Sequence, residues 1–133
     1  MAGQILTTDI LELESQRKGY LGISLTHWTD TVAPEIALGS IIEIAGAIIE
    51  FPANESVDHG ANWGGFGNNT LVYGYVNGTT YFSYLTTTAP TWSTEHQGWY
   101  DATGQHRYYL SLYKDGTGTY TRKNLLRNIQ KYN

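Results

Sequence analysis

The feature that most constrains this chain is a β-hairpin signal in its middle, over residues 71–85. Residues 71–76 and 79–85 are rich in the aromatic and β-branched side chains that strands favour, and Asn77-Gly78 stands between them. Asn-Gly is the preferred central pair of a type I′ turn, in which both residues have positive φ. We therefore predict a two-residue hairpin, with the tyrosines of its first strand on one face and the valines on the other.

A second hairpin is predicted earlier in the chain, where two isoleucine-rich segments are joined by Ala45-Gly46. Residues 40–44 and 47–51 supply strand propensity, and Gly46 can adopt the positive φ that a tight turn requires. Residues 20–28 alternate loosely and are predicted to form another strand.

Residues 73–81 are echoed by residues 109–120, in which Asp115-Gly-Thr-Gly118 is the turn. Two such tyrosine-rich segments predict two hairpins of one sheet system. The fold class that follows is all-β, a small antiparallel β-sandwich or barrel-like hairpin domain over residues 20–133.

Residues 1–19 are predicted to be a short N-terminal arm or helix used for docking or oligomerisation. Asp9 and Glu12 have the spacing of a capping box, but an extended arm fits residues 5–18 equally well. A helix this short is marginal in water unless it packs on something else, and a sister subunit is a natural partner. The apolar candidates for that contact are Ile5, Leu6, Ile10, Leu11 and Leu13.

Composition and charge exclude several classes of function. The chain has no cysteine, which excludes disulfides and thiolate chemistry. Its net charge is -4, with an acidic body over residues 1–106 and a basic tail over residues 107–133. We expect these opposite charges to meet between neighbouring copies and expect no nucleic-acid partner, because the tail is short and the body repels phosphate. The apolar run over residues 41–51 is broken by two glutamates and a glycine, and no membrane insertion is expected.

The residue patterns predict no metal, no cofactor and no catalytic residue. None of the four histidines forms a spaced pair of the kind zinc sites use. The Gly64-Gly-Phe-Gly67 segment lacks the lysine of a phosphate-binding loop. Asp58, Glu95 and Asp101 lie among aromatic residues, as the acids of glycosidases do, so a small hydrolase using Asp101 or Glu95 stays an alternative. No spacing among these acids defines a catalytic pair.

The chain carries 11 tyrosines and 4 tryptophans, more than a domain of 133 residues readily buries. Two interpretations stay open for the aromatic residues in its loops. Their rings can stack on a sugar, with neighbouring asparagines bonding its hydroxyls, or they can cap the sheet and fill an interface between subunits. The candidates for such a ligand or subunit contact are Trp63, Phe66, Trp92, Trp99 and Tyr100.

Several segments resemble those of bacteriophage fibre and other virion proteins. They are residues 37–56, with the sequence ALGSIIEIAGAIIEFPANES, residues 86–104, with TTTAPTWSTEHQGWYDATG, and residues 107–116, with RYYLSLYKDG. The shared order is a Thr/Ala/Pro connector, then Gly-Trp-Tyr-Asp, then a tyrosine-rich hairpin. The similarity covers residues 37–123 and carries no catalytic residue.

This resemblance implies a non-enzymatic virion structural protein of the head-fibre, capsid-decoration or tail-fibre kind, assembled in the host cytoplasm. It implies other copies of the chain as partners, often as a trimer, together with other virion proteins. The start of the chain, Met1-Ala-Gly-Gln4, has no signal-peptide pattern, which agrees with that expectation. The alternative is a carbohydrate-binding or host-receptor-binding module, whose partner is a host surface glycan.

Overall fold

The computed structural model describes residues 20–29 and 31–126, and over these residues the chain is all-β, with antiparallel strands and no helix. The predicted fold class is confirmed. The arm predicted over residues 1–19, with its docking candidates Ile5, Leu6, Ile10, Leu11 and Leu13, lies outside the described residues. The strands are β1 (Leu21–Gly22), β2 (Glu35–Ile36), β3 (Ile41–Ile44), β4 (Ala47–Glu50), β5 (Glu55–Ser56), β6 (Thr70–Asn77), β7 (Ser83–Thr86), β8 (Thr91–Ser93), β9 (Gly98–Tyr100), β10 (His106–Lys114) and β11 (Tyr120–Leu125).

Most of the strands form one six-stranded sheet around β10. The order is β7-β6-β10-β9-β8, and β11 also pairs with β10. One edge of β10 pairs with β6 along its length, while the other edge is shared between β9 near Arg107 and β11 from Leu110 onward. The two tyrosine-rich hairpins, β6–β7 and β10–β11, are therefore neighbours in one sheet, as predicted from their sequence similarity.

Two smaller sheets, β1-β3-β4 and β2-β5, pack against one face of the large sheet. Polar contacts join the layers. The Tyr100 hydroxyl accepts a hydrogen bond from the Ala45 amide at 2.8 Å, and the Ser83 hydroxyl donates to the Val57 carbonyl at 2.8 Å. The hydrophobic core lies between these layers, so the architecture is a small sandwich.

Strand pairing assigns side chains to the two faces of the large sheet. Val72, Val76, Leu110 and Leu112 are buried and belong to the inner face, which contacts the small sheets. Alternate residues of a strand point to opposite faces. Tyr73 and Tyr75, which lie between Val72 and Val76 in β6, are therefore on the outer face. The predicted division of β6 into a valine face and a tyrosine face agrees with this arrangement.

The turn at Ala45-Gly46 confirms the hairpin prediction, and β3 and β4 pair from Ile41 with Glu50 to Ile44 with Ala47. Both turn residues have positive φ, 50° for Ala45 and 98° for Gly46. The Glu43 carboxylate accepts a hydrogen bond from the Gly46 amide at 2.6 Å. The turn is thus supported by the residue that precedes it.

The turn predicted at Asn77-Gly78 is wrong in type, although the hairpin is present. β6 ends at Asn77 and β7 begins at Ser83, and Tyr81 is the residue of this loop with positive φ, at 65°. The Asn77 side chain instead caps the loop, accepting hydrogen bonds from the amides of Thr79 and Thr80 at 2.7 and 3.1 Å. Gly78 is required for another reason, since a Cβ there would lie 2.9 Å from the Gln105 carbonyl oxygen.

The strand predicted over residues 20–28 is divided between two sheets. β1 pairs with β3 only at Leu21 and Gly22, and Leu25 then bridges to Ile36 of β2. The Thr/Ala/Pro connector, residues 86–90, leads into β8, a strand that was not predicted and that forms a hairpin with β9. The Ser93 carbonyl accepts a hydrogen bond from the Gln97 amide at 2.8 Å in its turn.

A buried charge pair links the large sheet to a small one. Arg107 and Glu43 are almost fully buried, and the guanidinium Nη1 lies 3.7 Å from the Glu43 carboxylate. The same nitrogen donates hydrogen bonds to the Glu43 and Tyr20 carbonyls at 2.7 and 2.9 Å. Burial lowers the pKa of Arg107, and the neighbouring Tyr100 and Glu43 oppose that change. Arg107 is therefore part of the core and contributes nothing to a basic tail.

Candidate functional site

The outer face of the six-stranded sheet is the candidate functional surface, because register places aromatic side chains across it. Trp92 pairs with Trp99, Tyr108 with Tyr75, and Tyr75 with Tyr84. The pairing of Tyr100 with Arg107 puts Trp99 in the position beside Tyr108. We call this set, which crosses the sheet from β8 to β7, the aromatic row.

Ring contacts hold the tyrosine part of the row. The rings of Tyr75 and Tyr84 stack at 5.5 Å, and Tyr75 lies 6.0 Å from Tyr108. Tyr75 is nearly fully buried because its neighbours cover it, and its hydroxyl donates to the Thr88 carbonyl at 2.7 Å. Burial, followed by the charges of Tyr84 and other neighbours, raises the pKa of Tyr75. This half of the row is a packed platform.

The tryptophan half of the row is open to solvent. Trp92 and Trp99 are 50% and 43% exposed, and their rings meet edge to face at 5.4 Å. A short hairpin holds both rings on the same side, because they form a cross-strand pair. The structure therefore brings together two of the predicted contact residues and leaves their rings available.

The other predicted contact residues lie in the core. Trp63 is 5% exposed and stacks on Tyr120 at 4.0 Å. Phe66 packs against the core, and its carbonyl accepts a hydrogen bond from the Lys114 ammonium at 2.7 Å. Tyr100 is fully buried, since the residue after Trp99 must point to the inner face. A surface that joins these three rings to the tryptophan pair is not formed.

A hollow of about 580 Å³ lies at the opposite end of the outer face. Its residues come from β6, β10 and β11, where Leu71 pairs with Tyr113 and Tyr113 with Arg122. Leu71 is exposed. Arg122 also lines the hollow, and it is the one arginine of the described residues that lies at the surface. The residues that line it are Leu71, Ser111, Leu112, Tyr113, Arg122, Lys123 and Asn124. The outer face thus combines open tryptophans, a tyrosine platform and a hollow with a cationic wall.

No protein-family model, curated protein or solved structure matches the chain.

The carboxylate of Asp101, one of the acids considered for hydrolysis, is hydrogen-bonded to residues of the turn that it begins. Its carboxylate accepts hydrogen bonds from the Thr103 hydroxyl at 2.8 Å and the Gln105 and His106 amides at 3.3 and 3.2 Å. Burial alone would raise the pKa of Asp101, but these bonds and the nearby His106 outweigh it, so the pKa is lowered. A carboxylate with a lowered pKa is a poor general acid at neutral pH.

A polar cluster of Asp101, His106 and Tyr84 closes one end of the aromatic row. The His106 Nδ1 atom lies 2.8 Å from the Asp101 carboxylate and 2.7 Å from the Tyr84 hydroxyl. Burial, followed by the charge of Asp101, raises the pKa of Tyr84 to about 12. This cluster fixes the β9–β10 turn against the row and keeps Tyr84 neutral.

Over the described residues, no group of three or more His, Cys, Asp and Glu side chains has the proximity to hold a metal ion. Within the same ranges no helix has the length and hydropathy to cross a membrane.

Sequence reasoning missed the part of the face formed by Tyr84 and Tyr108. The alternation of tyrosines in β6 was a usable signal, since it put Tyr73 and Tyr75 on one side. The pairing that adds β7, β9 and β10 to the same face depends on contacts between distant segments. Such pairing is not written in any single local pattern.

Proposed function

We propose that this chain is a non-enzymatic structural protein of a bacteriophage particle, which assembles with copies of itself and with other virion proteins through the outer face of its large sheet. The observation that carries the proposal is the aromatic row and its exposed tryptophans. The resemblance of residues 37–123 to fibre and decoration proteins supplies the virion context and the expectation of a trimer.

The composition of the outer face fits a protein interface. Tyrosine, tryptophan and arginine are enriched at interfaces, and acidic residues and lysine are depleted at their centres. The outer face presents the first group, with Tyr73, Trp99 and Arg122 on three strands that each pair with β10. Tyrosine rings bury apolar area, and their hydroxyls bond a partner.

A second copy of the chain is the occupant we favour, because the surface is complementary to itself in charge. Arg122 lines the hollow at one end, and Glu95 is exposed in the β8–β9 turn beside the tryptophans at the other. In a closed trimer, contact between the hollow of one copy and the β8–β9 turn of the next brings these charges together. Charge complementarity of this kind sets orientation more than affinity.

Sedimentation of the full chain over a range of concentrations tests self-association. We expect the wild-type chain to form an oligomer and the double variant Leu71→Thr/Trp99→Thr to associate more weakly. Both residues are exposed on strands, where threonine is well tolerated, so the substitutions should leave the fold intact. Leu38→Thr is the matched control, because Leu38 is 64% exposed in the turn between β2 and β3. A wild-type chain that stays monomeric at the highest concentration, or equal weakening by the control, contradicts the proposal.

The virion context is tested separately. Mass spectrometry of purified particles of the phage that encodes the chain should detect it as a component present in many copies. Its absence from such particles would remove the virion assignment while leaving the self-association result intact.

Carbohydrate binding is the second candidate, and the open pair of Trp92 and Trp99 favours it. A glycan array probed with the wild-type chain and with Trp92→Ala and Trp99→Ala decides between them. Binding of a defined glycan that both variants lose, and Leu38→Thr keeps, would make the tryptophan pair a sugar-binding site. If neither the wild-type chain nor any variant binds a glycan, the structural role is the better account.

A further inference from the structure

Asp58 is a buried carboxylate that the fold does not use. It follows β5 and is 5% exposed, and its backbone is fully engaged. Its amide donates to the Ser56 hydroxyl at 3.0 Å, and its carbonyl accepts from the Ala61 amide at 3.0 Å. Within residues 20–29 and 31–126, neither carboxylate oxygen of Asp58 has a hydrogen-bond partner.

Burial without a partner is unusual for an ionisable group, because its lost hydration is not replaced. Glu43 in the same protein shows the ordinary solution. It is equally buried, but its carboxylate accepts a hydrogen bond from the Gly46 amide and lies beside the Arg107 guanidinium. The two carboxylate oxygens of Asp58 can accept hydrogen bonds that no described residue donates.

Asp58 bounds a cavity of about 410 Å³, which is within the usual size of small-ligand sites. The outer wall consists of exposed positions such as Thr31, Ala61 and Gly64, so the cavity opens to solvent. The residues that line it are Thr31, Val32, Ala33, Glu35, Ser56, Asp58, Ala61, Trp63 and Gly64. Glu35 is a second carboxylate at this site, and no lysine or arginine is among the described residues that line it.

Two side-chain donors in this part of the core, on Tyr120 and Lys114, bond backbone carbonyls and not Asp58. The Tyr120 hydroxyl donates to the Trp63 carbonyl at 2.7 Å, and the Lys114 ammonium donates to the Phe66 carbonyl at 2.7 Å. Burial, followed by the charge of Asp58, raises the pKa of Tyr120 to about 12. Two carboxylates therefore border the cavity. The Asp58 oxygens have almost no accessible surface and lie behind the cavity wall, and Glu35 Oε1 accepts a hydrogen bond from the Asn54 side-chain amide at 3.4 Å.

We propose that this cavity binds a cationic N–H donor, an ammonium or guanidinium group, toward which the Asp58 carboxylate turns to act as its acceptor, with Glu35 at the rim. Such a group supplies charge-assisted hydrogen bonds to both oxygens of a carboxylate. A divalent metal fits less well, because two carboxylates offer fewer ligands than Ca²⁺ takes. The inference does not depend on the proposed function, because the cavity lies among residues of β2 and β5 and the outer face lies on the other side of the large sheet.

The experiment measures binding of Gly-Arg-Gly peptide, free agmatine and the neutral isostere Gly-citrulline-Gly to the full chain. Calorimetry gives the affinity, and amide NMR shifts at Ala61 and Gly64 give the location. We expect the two guanidinium probes to bind and the citrulline peptide not to bind. Tighter binding of the peptide identifies a basic side chain of a polypeptide as the ligand type, and tighter binding of agmatine identifies a free amine.

Asp58→Asn should weaken binding roughly tenfold or more, since it removes a charge-assisted bond. Without ligand this variant should be at least as stable as the wild type, because it removes a buried carboxylate that no described residue hydrogen-bonds. Glu50→Gln removes one exposed charge on β4, away from the cavity, and should leave affinity unchanged. Equal binding of the citrulline peptide, no binding of either guanidinium probe, or unchanged affinity in Asp58→Asn overturns the proposal.

A second variant covers the case in which Asp58→Asn does not fold. A Cβ at Gly64 meets open space, so Gly64→Phe adds a ring at the cavity wall without a backbone clash. We expect Gly64→Phe to fold and to weaken Gly-Arg-Gly binding several-fold. Full affinity in this variant overturns the assignment of the cavity as the site.

Discussion

Replacing Arg107 with methionine should destabilise the domain more than any surface change, because Arg107 is the cation of a buried pair. Methionine has a similar length and fills the space flexibly, but it has no charge and no donor. The substitution leaves the Glu43 carboxylate, 2% exposed, without the guanidinium that lies 3.7 Å from it. It also removes the donors to the carbonyls of Glu43 and Tyr20.

The expected loss is about 3–5 kcal/mol, the usual cost of removing one partner of a buried ion pair. The lost carbonyl hydrogen bonds are part of the same rearrangement and do not add in full. A domain of this size is typically stable by about 5–15 kcal/mol, so the variant should remain folded with a much lower urea midpoint.

The assay is urea denaturation of a double-mutant cycle with Arg107→Met, Glu43→Gln and the combination. Glutamine at position 43 keeps an oxygen acceptor for the Gly46 amide and removes the charge that needs Arg107. The combined variant should therefore lose about 1–3 kcal/mol less than the sum of the single losses. A loss below about 1 kcal/mol for Arg107→Met, or strict additivity, would refute the reasoning that the pair acts as a unit.

Two further predictions concern the turns and the tyrosines. Gly46→Ala should cost about 1–2 kcal/mol in urea unfolding, since φ is 98° and no atom obstructs a Cβ, and Gly46→Asn should cost less; an equal cost for both would argue against backbone strain as the cause. On alkaline titration, stability should be fully present below pH 10 and fall as pH approaches about 12, because the folded-state pKa values of Tyr84 and Tyr120 are raised to about 12 from 10. Each such tyrosine adds up to about 1.4 kcal/mol per pH unit to the slope, less where it is partly exposed. The part of the tyrosinate absorbance that Tyr84→Phe and Tyr120→Phe remove should coincide with loss of circular dichroism. Ionisation of these two tyrosines without unfolding would show that their hydroxyls are accessible in the folded chain.

Local signals determined the strands of three hairpins, β3–β4, β6–β7 and β10–β11, and two of their turns. Isoleucines on both sides of Ala45-Gly46 predicted a tight hairpin, and the Asp115 to Gly118 turn was equally clear, because positive φ and short polar side chains restrict the choice of residue. At Asn77-Gly78 the same logic failed. Position 78 requires glycine for a different reason. A Cβ there would lie 2.9 Å from the Gln105 carbonyl oxygen and 2.9 Å from the Ile44 side chain.

The candidate surfaces depended on contacts that a local pattern cannot contain. The same residue type received opposite roles: Trp99 is exposed on the outer face, while Trp63 stacks on Tyr120 in the core. Asp58 was weighed as a catalytic acid from its neighbours in sequence. Only the packing around it shows a buried carboxylate with no hydrogen-bond partner in the part of the chain that the structure describes.

The amino-acid sequence by itself determined an all-β chain of hairpins with tyrosines on one side of a strand, because propensity, alternation and turn chemistry act between residues that are close along the chain. The tertiary structure alone decided which strands became neighbours, and thus that Trp92, Trp99, Tyr108, Tyr75 and Tyr84 form one row. It also decided that Arg107 belongs to the core instead of to a basic tail. The physical reason is that burial and pairing are properties of the whole packed domain, in which strand register and layer contacts are optimised together.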